Sequence, residues 1–183
     1  MVIKERINAE SIYLTSLDSA RISTEYVRWM QDPDVLLYLA RPLMPYTALS
    51  ISEYVEQMNA SRTNYLLGLF DQKTNMHIGN IKIGNIHDEH RFADVGFVLG
   101  VKAFWGKGIM TQALQRVTHY AFDDLGLNKL FAGVLAPNVA SMRVFEKAGY
   151  RQVGCYQRHC KLDHSFVDSY IYEKCAALSP GNT

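Results

Sequence analysis

A glycine-rich turn before a long amphipathic segment is the part of this sequence whose chemistry is easiest to state. Gly106, Lys107 and Gly108 follow an apolar run and directly precede residues 109–125. The first turn of a helix exposes about four unpaired N–H groups and a partial positive charge, which together attract phosphate. Glycines also let the main chain approach an anion without a Cβ in the way. The turn therefore indicates a phosphate site, although the same glycines would also suit a tight turn that binds nothing.

Two well-known phosphate motifs do not fit this turn. A P-loop has four residues between its glycines and a Ser or Thr after its Lys. Here five residues separate Gly100 from Gly106, and Gly108 follows Lys107. A GxGxxG dinucleotide motif would need glycine where the chain has Thr111. Both mismatches disfavour a kinase and a dehydrogenase.

Hydrophobic periodicity predicts the elements that position the turn. Apolar residues at helical spacing predict helices at 19–30, 50–59 and 109–125, and a shorter helix between Asn138 and Gly149. Residues 84–91 and the proline-containing segment 41–50 are predicted to be loops. Short apolar or alternating runs predict strands at 12–14, 65–70, 77–83, 92–99, 129–135, 150–156 and 166–173. This order predicts an α/β (α+β) protein with a mixed sheet flanked by helices.

Length and composition limit the classes of protein further. The 183 residues suit one domain, predicted at 1–178 with a loose tail at 179–183. A net charge of +1 gives no general attraction to nucleic acid, and no apolar run is long enough to span a membrane. The charged N-terminal segment lacks the apolar region of a signal peptide, and three cysteines without CxxC spacing do not form a disulfide framework. We therefore expect a reduced, cytoplasmic protein.

The turn and a second segment together resemble the GNAT superfamily of acetyl-CoA-dependent N-acetyltransferases, in the branch of the RimJ and RimL ribosomal-protein acetyltransferases. The family motif Q/R-x-x-G-x-G/A falls on residues 105–110, with Trp105 and Met110 at the two positions that depart from it. About 30 residues further on, the chain reads N-V-A-S from Asn138 and F-E-K-A-G-Y from Phe145. The resemblance covers residues 12–173 and implies the fold of this family.

The resemblance implies acetyl-CoA as co-substrate and a set of residues that bind it. The strand before the turn would pair through its main chain with the pantetheine arm. Asn138 would contact the pantetheine, although an Asn at this place also caps a helix. The implied pantetheine partners are Phe97, Val98, Leu99 and Asn138, and Ser141 is a further implied cofactor contact. The implied pyrophosphate partners are Gly106, Lys107, Gly108, Ile109, Met110 and Thr111.

Acetyl transfer to an amine needs a neutral amine, and thus a general base. Asp94 occupies the strand position at which many relatives carry a catalytic Glu. A carboxylate on an apolar strand is costly unless it is functional or is paired with an Arg or the backbone. His87, Asp88, Glu89 and His90 lie just upstream, as further candidates for base function or acceptor binding or as solvated loop residues.

The general acid is harder to assign than the base. Many relatives carry a Tyr where this chain has Phe145, which cannot donate a proton. Ser141 is the nearest hydroxyl and our candidate catalytic acid; a water, Tyr150 or Tyr156 are the alternatives. The lost Tyr also leaves open a non-catalytic module that binds acyl-CoA.

A metal site is not predicted. Cys155, His159, Cys160 and His164 follow a spacing that matches no common zinc pattern. The remaining partner is the acceptor, a primary amine expected between residues 41–50, the early helices and residues 87–94. A protein N-terminus, a nucleotide-linked amino sugar and a small polyamine or aminoglycoside are the candidate acceptors, and a homodimer is left open.

Overall fold

A central sheet with helices on both faces organises the part of the chain that the computed structural model describes, residues 1–3, 5–39 and 45–177. Residues 41–44 of the predicted loop and the predicted tail at 179–183 lie outside these ranges. The described strands are β1 (Ile7–Asn8), β2 (Ile12–Ser16), β3 (Tyr65–Asp71), β4 (His77–His87), β5 (Phe92–Leu99), β6 (Lys129–Leu135), β7 (Arg151–Leu162) and β8 (Ser165–Cys175). The described helices are α1 (Thr24–Trp29), α2 (Pro33–Leu36), α3 (Ala48–Ala60), α4 (Ile109–Asp123) and α5 (Val139–Lys147), with 3-10 turns at Ser19–Arg21 and Lys102–Phe104.

The strands form one sheet in the order β1-β2-β3-β4-β5-β6-β8-β7. β5 and β6 pair in parallel, and each other neighbouring pair of described strands is antiparallel. The parallel pair is short, because Phe92–Asp94 alone align with Lys129–Phe131. Beyond Asp94 the two strands separate. The predicted mixed sheet with flanking helices is confirmed.

Two hydrophobic clusters cover the two faces of the sheet. On one face, α4 and α5 pack against the strands through residues such as Leu114, Val117 and Phe145. On the other face, α1 and α3 cover part of the sheet through residues such as Trp29 and Val55. The sheet therefore presents α4 and α5 on one side of the separating strands, and α1 to α3 on the other.

Most predicted elements agree with the observed ones, but one helix, one loop and the last two strands differ, and β1 and α2 were not predicted. β5 and β6 have the predicted bounds. The single helix predicted at 19–30 is wrong, because the Ser23 hydroxyl accepts a hydrogen bond from the Tyr26 N–H and starts a separate helix. The loop predicted at 84–91 is also wrong in its first half, because β4 continues to His87 across an irregularity at which Asn85 has a φ of 50°. β7 and β8 form a longer hairpin than predicted.

Candidate active site

The glycine turn has the open geometry that an anion site requires. Gly106 and Gly108 have φ values of 71° and 76°, a left-handed conformation that residues with a Cβ rarely adopt. A Cβ built on either glycine meets no atom within 4 Å. Gly108 is the N-cap of α4 and supplies no side-chain cap. The space in front of this helix start is therefore open.

The main-chain N–H groups of the first turn of α4 point into this open space. The first hydrogen bond within the helix runs from the Gln112 N–H to the Gly108 carbonyl, at 3.1 Å. The N–H groups of Ile109, Met110 and Thr111 therefore precede the helical ladder and have no acceptor within it. The side chains of Ile109 and Met110 are buried in the core. At Met110, which departs from the family motif, the side chain lies in the core. Met110 can therefore bind an anion only through its main-chain N–H.

Trp105 ties the end of β5 to the turn, a role that the sequence did not reveal. Its indole Nε1 donates a hydrogen bond of 2.7 Å to the carbonyl of Leu99. Neighbouring Lys107 is exposed, with its ammonium 5.9 Å from the ring centroid of Phe104. Its charge therefore lies at the exposed side of the turn. Trp105, at a position where the chain departs from the family motif, thus links the loop to the end of β5 through its indole.

The edge of β5 that faces β6 is open beyond Asp94. Residues of a strand direct their main-chain groups alternately to the two neighbouring strands. Arg91 accepts from Lys129 of β6, and Gly100 donates to Ile78 of β4, so odd-numbered residues of β5 face β6 and even-numbered ones face β4. The main-chain groups of Phe97 and Leu99 therefore point into the opening, the gap between β5 and β6 beyond Asp94.

This alternation corrects the predicted set of main-chain partners. Val98 faces β4, where it is aligned with Asn80, so its N–H and carbonyl are not available in the opening. The Leu99 carbonyl already accepts from Trp105, which leaves its N–H. Phe97 offers both its N–H and its carbonyl. Of the three predicted residues, Phe97 is thus the best placed to pair with an extended ligand.

The helix α5 borders the opening on the same face of the sheet as α4. The ring of Phe145 lies 5.3 Å from that of Phe97, centroid to centroid. Asn138 caps this helix, because its Oδ1 accepts from the Ser141 N–H at 3.1 Å. The cap uses the Asn138 oxygen and leaves the amide NH₂ group for another partner. The partly buried Ser141 lies in the first turn of α5.

The position at which many relatives carry a Tyr is part of an aromatic core. Phe145 is 3% exposed and contacts the rings of Phe97, Tyr150 and Tyr172. Tyr150 does not replace the missing hydroxyl. The Thr118 hydroxyl donates its proton to the Leu114 carbonyl, so Tyr150 donates to Thr118, at 2.8 Å. Burial also raises the pKa of Tyr150. The alternative Tyr156 is exposed on β7 and packs against the ring of His159.

Asp94 lies where the two strands begin to separate, and a second residue holds it there. The Asn85 amide donates a hydrogen bond of 2.6 Å to Asp94 Oδ1. Because α4 packs on Ala93 and Val95, the side chain of Asp94 points to the opposite face, that of α1 to α3. Asp94 therefore lies on the face of α1 to α3, whereas α5, which carries Ser141, packs on the other face of the sheet. Asn85 was missed by sequence reasoning, because its place depends on the irregularity in β4.

The other polar candidates lie apart from the opening. His87 and His90 stack on each other and on Phe92 at the start of β5, and residues 87–90 are exposed. The residues Cys155, His159, Cys160 and His164 lie on the β7–β8 hairpin. Within residues 1–3, 5–39 and 45–177, no group of three His, Cys, Asp or Glu side chains is arranged to hold a metal ion. The helices of these ranges are also too short or too polar to cross a membrane.

Comparison with known proteins assigns the family. The family model described as "Acetyltransferase (GNAT) domain" matches residues 13–151. The chain therefore belongs to the GNAT acetyltransferases and is an N-acetyltransferase.

Individual relatives agree with this family. The chain is 35% identical to the Bacillus subtilis (strain 168) protein named "Probable N-acetyltransferase YjcK" over 131 residues, which are 71% of this chain and 70% of that protein. The structure of RimL, a ribosomal-protein alpha-N-acetyltransferase in complex with coenzyme A, superposes with a TM-score of 0.84 at 18% identity, over 93% of this chain and 98% of that one. The Vibrio cholerae spermidine N-acetyltransferase superposes with a TM-score of 0.76 at 17% identity, over 90% and 95%. At these identities the two structures show a shared fold.

Proposed function

We propose that this chain transfers the acetyl group of acetyl-CoA directly to a primary amine, with both substrates bound at the same time. One observation carries the proposal: the open edge of β5 leads from Asp94 to the glycine turn, where the N–H groups of α4 are unpaired within the helix. An extended arm that ends in a pyrophosphate needs such a strand edge followed by such a helix start.

The chain's own groups fit acetyl-CoA along this path. Phe97 is proposed to offer its N–H and carbonyl to the pantetheine arm, Leu99 its N–H, and Asn138 the amide NH₂ group that its helix cap leaves unused. The Val98 side chain packs toward α1 and α3. The bound co-substrate supplies the acetyl group as a thioester. The pyrophosphate is proposed to lie on the main chain of Gly106, Lys107, Gly108, Ile109, Met110 and Thr111.

Asp94 is proposed as the general base. Asn85 occupies its Oδ1, so Oδ2 is the oxygen that accepts a proton from the acceptor ammonium, directly or through a water. The acceptor enters from the face of α1 to α3, because the Asp94 side chain points to that face. On the other face, the Ser141 hydroxyl is proposed to donate a proton to the departing sulfur and to regain one through water from the attacking nitrogen, which loses its second proton as the amide forms.

The acceptor is proposed to be a protein N-terminus, a nucleotide-linked amino sugar or a small amine. Of the proteins that share this fold, one is named as a ribosomal-protein alpha-N-acetyltransferase and another as a spermidine N-acetyltransferase. Both names describe the acetylation of an amine. The net charge of +1 gives the chain no general attraction to strongly acidic partners. The local groups around Asp94, rather than overall charge, would therefore select the acceptor.

The experiment incubates the purified chain with acetyl-CoA and a panel of amines from each class. The N-acetylated product is measured by mass spectrometry, because the three free cysteines of the chain would react with a thiol reagent for free CoA. We expect product with at least one amine, at a rate proportional to enzyme concentration. Binding of acetyl-CoA in calorimetry without product from any amine would instead show a non-catalytic binding module.

A further inference from the structure

Beside the proposed base, β4 and β5 carry two charged residues, each of which lies opposite a glycine. Lys82 of β4 is aligned with Gly96 of β5, and Gly84 of β4 is aligned with Asp94 of β5. Directly opposite residues of an antiparallel pair point to the same face, as do residues two apart on one strand. These four positions therefore form a single patch on the face of α1 to α3, with the two charges on its diagonal.

The two glycines make room within this patch. A Cβ built on Gly96 meets no atom within 4 Å, and Gly96 is exposed. A Cβ built on Gly84 would collide with the Lys82 side chain and lie 2.8 Å from its Nζ. The Lys82 side chain thus folds over Gly84, toward the position opposite Asp94. A side chain at Gly84 would displace the Lys82 side chain, and Gly96 leaves the position opposite Lys82 open.

The Lys82 ammonium has no partner within the described part of the chain. It forms no hydrogen bond or ion pair with any residue of the ranges 1–3, 5–39 and 45–177, although the side chain is partly buried. Other lysines differ: Lys102 is paired with Asp32 and Asp34, and Lys129 with Glu173. A partly buried cation without a counter-ion beside a substrate opening is suited to bind an anion.

We propose that the acceptor carries an anionic group, a carboxylate or a phosphate, within a few bonds of its amine. The proposal rests on the proposed function. Lys82 binds the anionic group while Asp94 receives the amine, so that the two charges of the protein match the two charges of a compact zwitterion. Diagonal positions of a strand pair lie about 7–8 Å apart at Cα, and no ion pair joins Lys82 to Asp94 in the described part of the chain, so both charges can bind one small molecule. A polyamine would place a second cation against Lys82.

The test uses matched pairs of acceptors that differ in the anionic group. The first pair is an amino acid and its α-amide, and the second is phosphoethanolamine and ethanolamine; putrescine serves as a purely cationic amine. We expect the unmodified enzyme to prefer the anionic member of at least one pair by tenfold or more in kcat/KM. The pair that shows the preference identifies the anion as a carboxylate or a phosphate.

Lys82→Met gives a second readout, because methionine retains an unbranched apolar chain without the charge. We expect a KM at least tenfold higher for the preferred anionic acceptor, with kcat and acetyl-CoA affinity close to those of the unmodified enzyme. Lys161→Met, at an exposed position on β7, is the matched control and should change neither constant.

The possible failures are distinguishable. Equal kcat/KM for the anionic and neutral members, with activity present, overturns this inference and leaves the proposed function standing. A Lys82→Met variant that loses kcat equally for all acceptors also overturns it, since Lys82 would then act on Asp94. If no amine of any class is acetylated, the proposed function fails and this inference fails with it.

Discussion

Asp94 owes its position to a neighbour on the adjacent strand rather than to a charged partner. The hydrogen bond from Asn85 holds Oδ1 and leaves Oδ2 without a hydrogen bond to any residue in the described part of the chain. Asn85 reaches it because β4 is irregular at this point, where the residue adopts a positive φ that Asn tolerates better than most. At the scale of single residues, the position of the proposed base thus depends on the Asn85 amide and on one irregularity in β4.

The first prediction concerns this carboxylate. Asp94→Asn retains the shape of the side chain but removes its ability to accept a proton. We expect kcat to fall by roughly 10²–10⁴ at neutral pH, the usual contribution of a general base. Acetyl-CoA affinity should change little, because the glycine turn is a separate part of the site. Steady-state kinetics and calorimetry measure the two effects.

The pH profile of this variant separates a lost base from a damaged site. Activity should recover as pH rises toward the pKa of the acceptor amine, about 8 for an α-amine and about 10.4 for a lysine-like amine. Asp123→Asn, on the exposed end of α4, controls for the loss of a surface carboxylate. An unchanged kcat in Asp94→Asn would contradict Asp94 as the base and favour bulk water, and a loss that is equal at every pH would indicate a role in acceptor binding.

The connection between β5 and α4 is the element that joins the two parts of the proposed cofactor path. β5 leaves its parallel partner after Asp94, and the chain then turns through residues 100–108 into a helix start without a side-chain cap. The hydrogen bond from the Trp105 indole to the Leu99 carbonyl links this connection to the end of β5. The strand edge and the helix N-terminus are therefore held in a fixed relation.

The second prediction tests the helix start. Gly108→Glu places a negative charge where the pyrophosphate is proposed to lie, so acetyl-CoA should bind at least tenfold more weakly, a change of about 1.4 kcal/mol. Gly108→Gln is the matched control, because it carries the same left-handed strain and nearly the same size without the charge. Calorimetry measures the affinity, and circular dichroism confirms that both variants fold. Equal acetyl-CoA affinity in the Glu and Gln variants would contradict binding of the pyrophosphate at this turn.

Across the whole molecule, the cysteines are separated from the proposed path. Cys155 and Cys160 lie on β7, the outermost strand of the sheet, and Cys175 ends β8. Desolvation and the neighbouring Asp168 carboxylate raise the pKa of the Cys155 thiol, which lowers its reactive thiolate fraction. The arrangement of the sheet therefore favours direct transfer over an acetyl-cysteine intermediate.

The third prediction follows from that separation. Replacement of all three cysteines by alanine should retain most of the activity, and iodoacetamide should not inhibit the unmodified enzyme. Because Cys155 and Cys175 are exposed, each of these two replacements should change stability by no more than about 0.5 kcal/mol. Mass spectrometry after incubation with labelled acetyl-CoA is the decisive measurement. A labelled acetyl group on any of the three cysteines would contradict direct transfer.

Local patterns were enough to predict many of the elements and the glycine turn. The periods of β5, β6 and α4 are visible in the sequence, because each element buries one face and the hydrophobic residues repeat accordingly. Gly106 and Gly108 mark the turn because few other residues adopt its left-handed conformation. The family motifs, correctly spaced, predicted the N-acetyltransferase family that the comparisons show.

Long-range pairing decided the rest, since no local period encodes it. The separation of β5 from β6 assigns Phe97 to the opening and Val98 to β4, although the two residues are adjacent in the sequence. The same pairing brings Asn85 to Asp94 and Lys82 into the patch beside it. Residues that are distant along the chain meet only when strand register is set, and register depends on the packing of the whole sheet. The sequence by itself thus determined the elements and the turn, and the tertiary structure decided which main-chain groups and charges meet at the site.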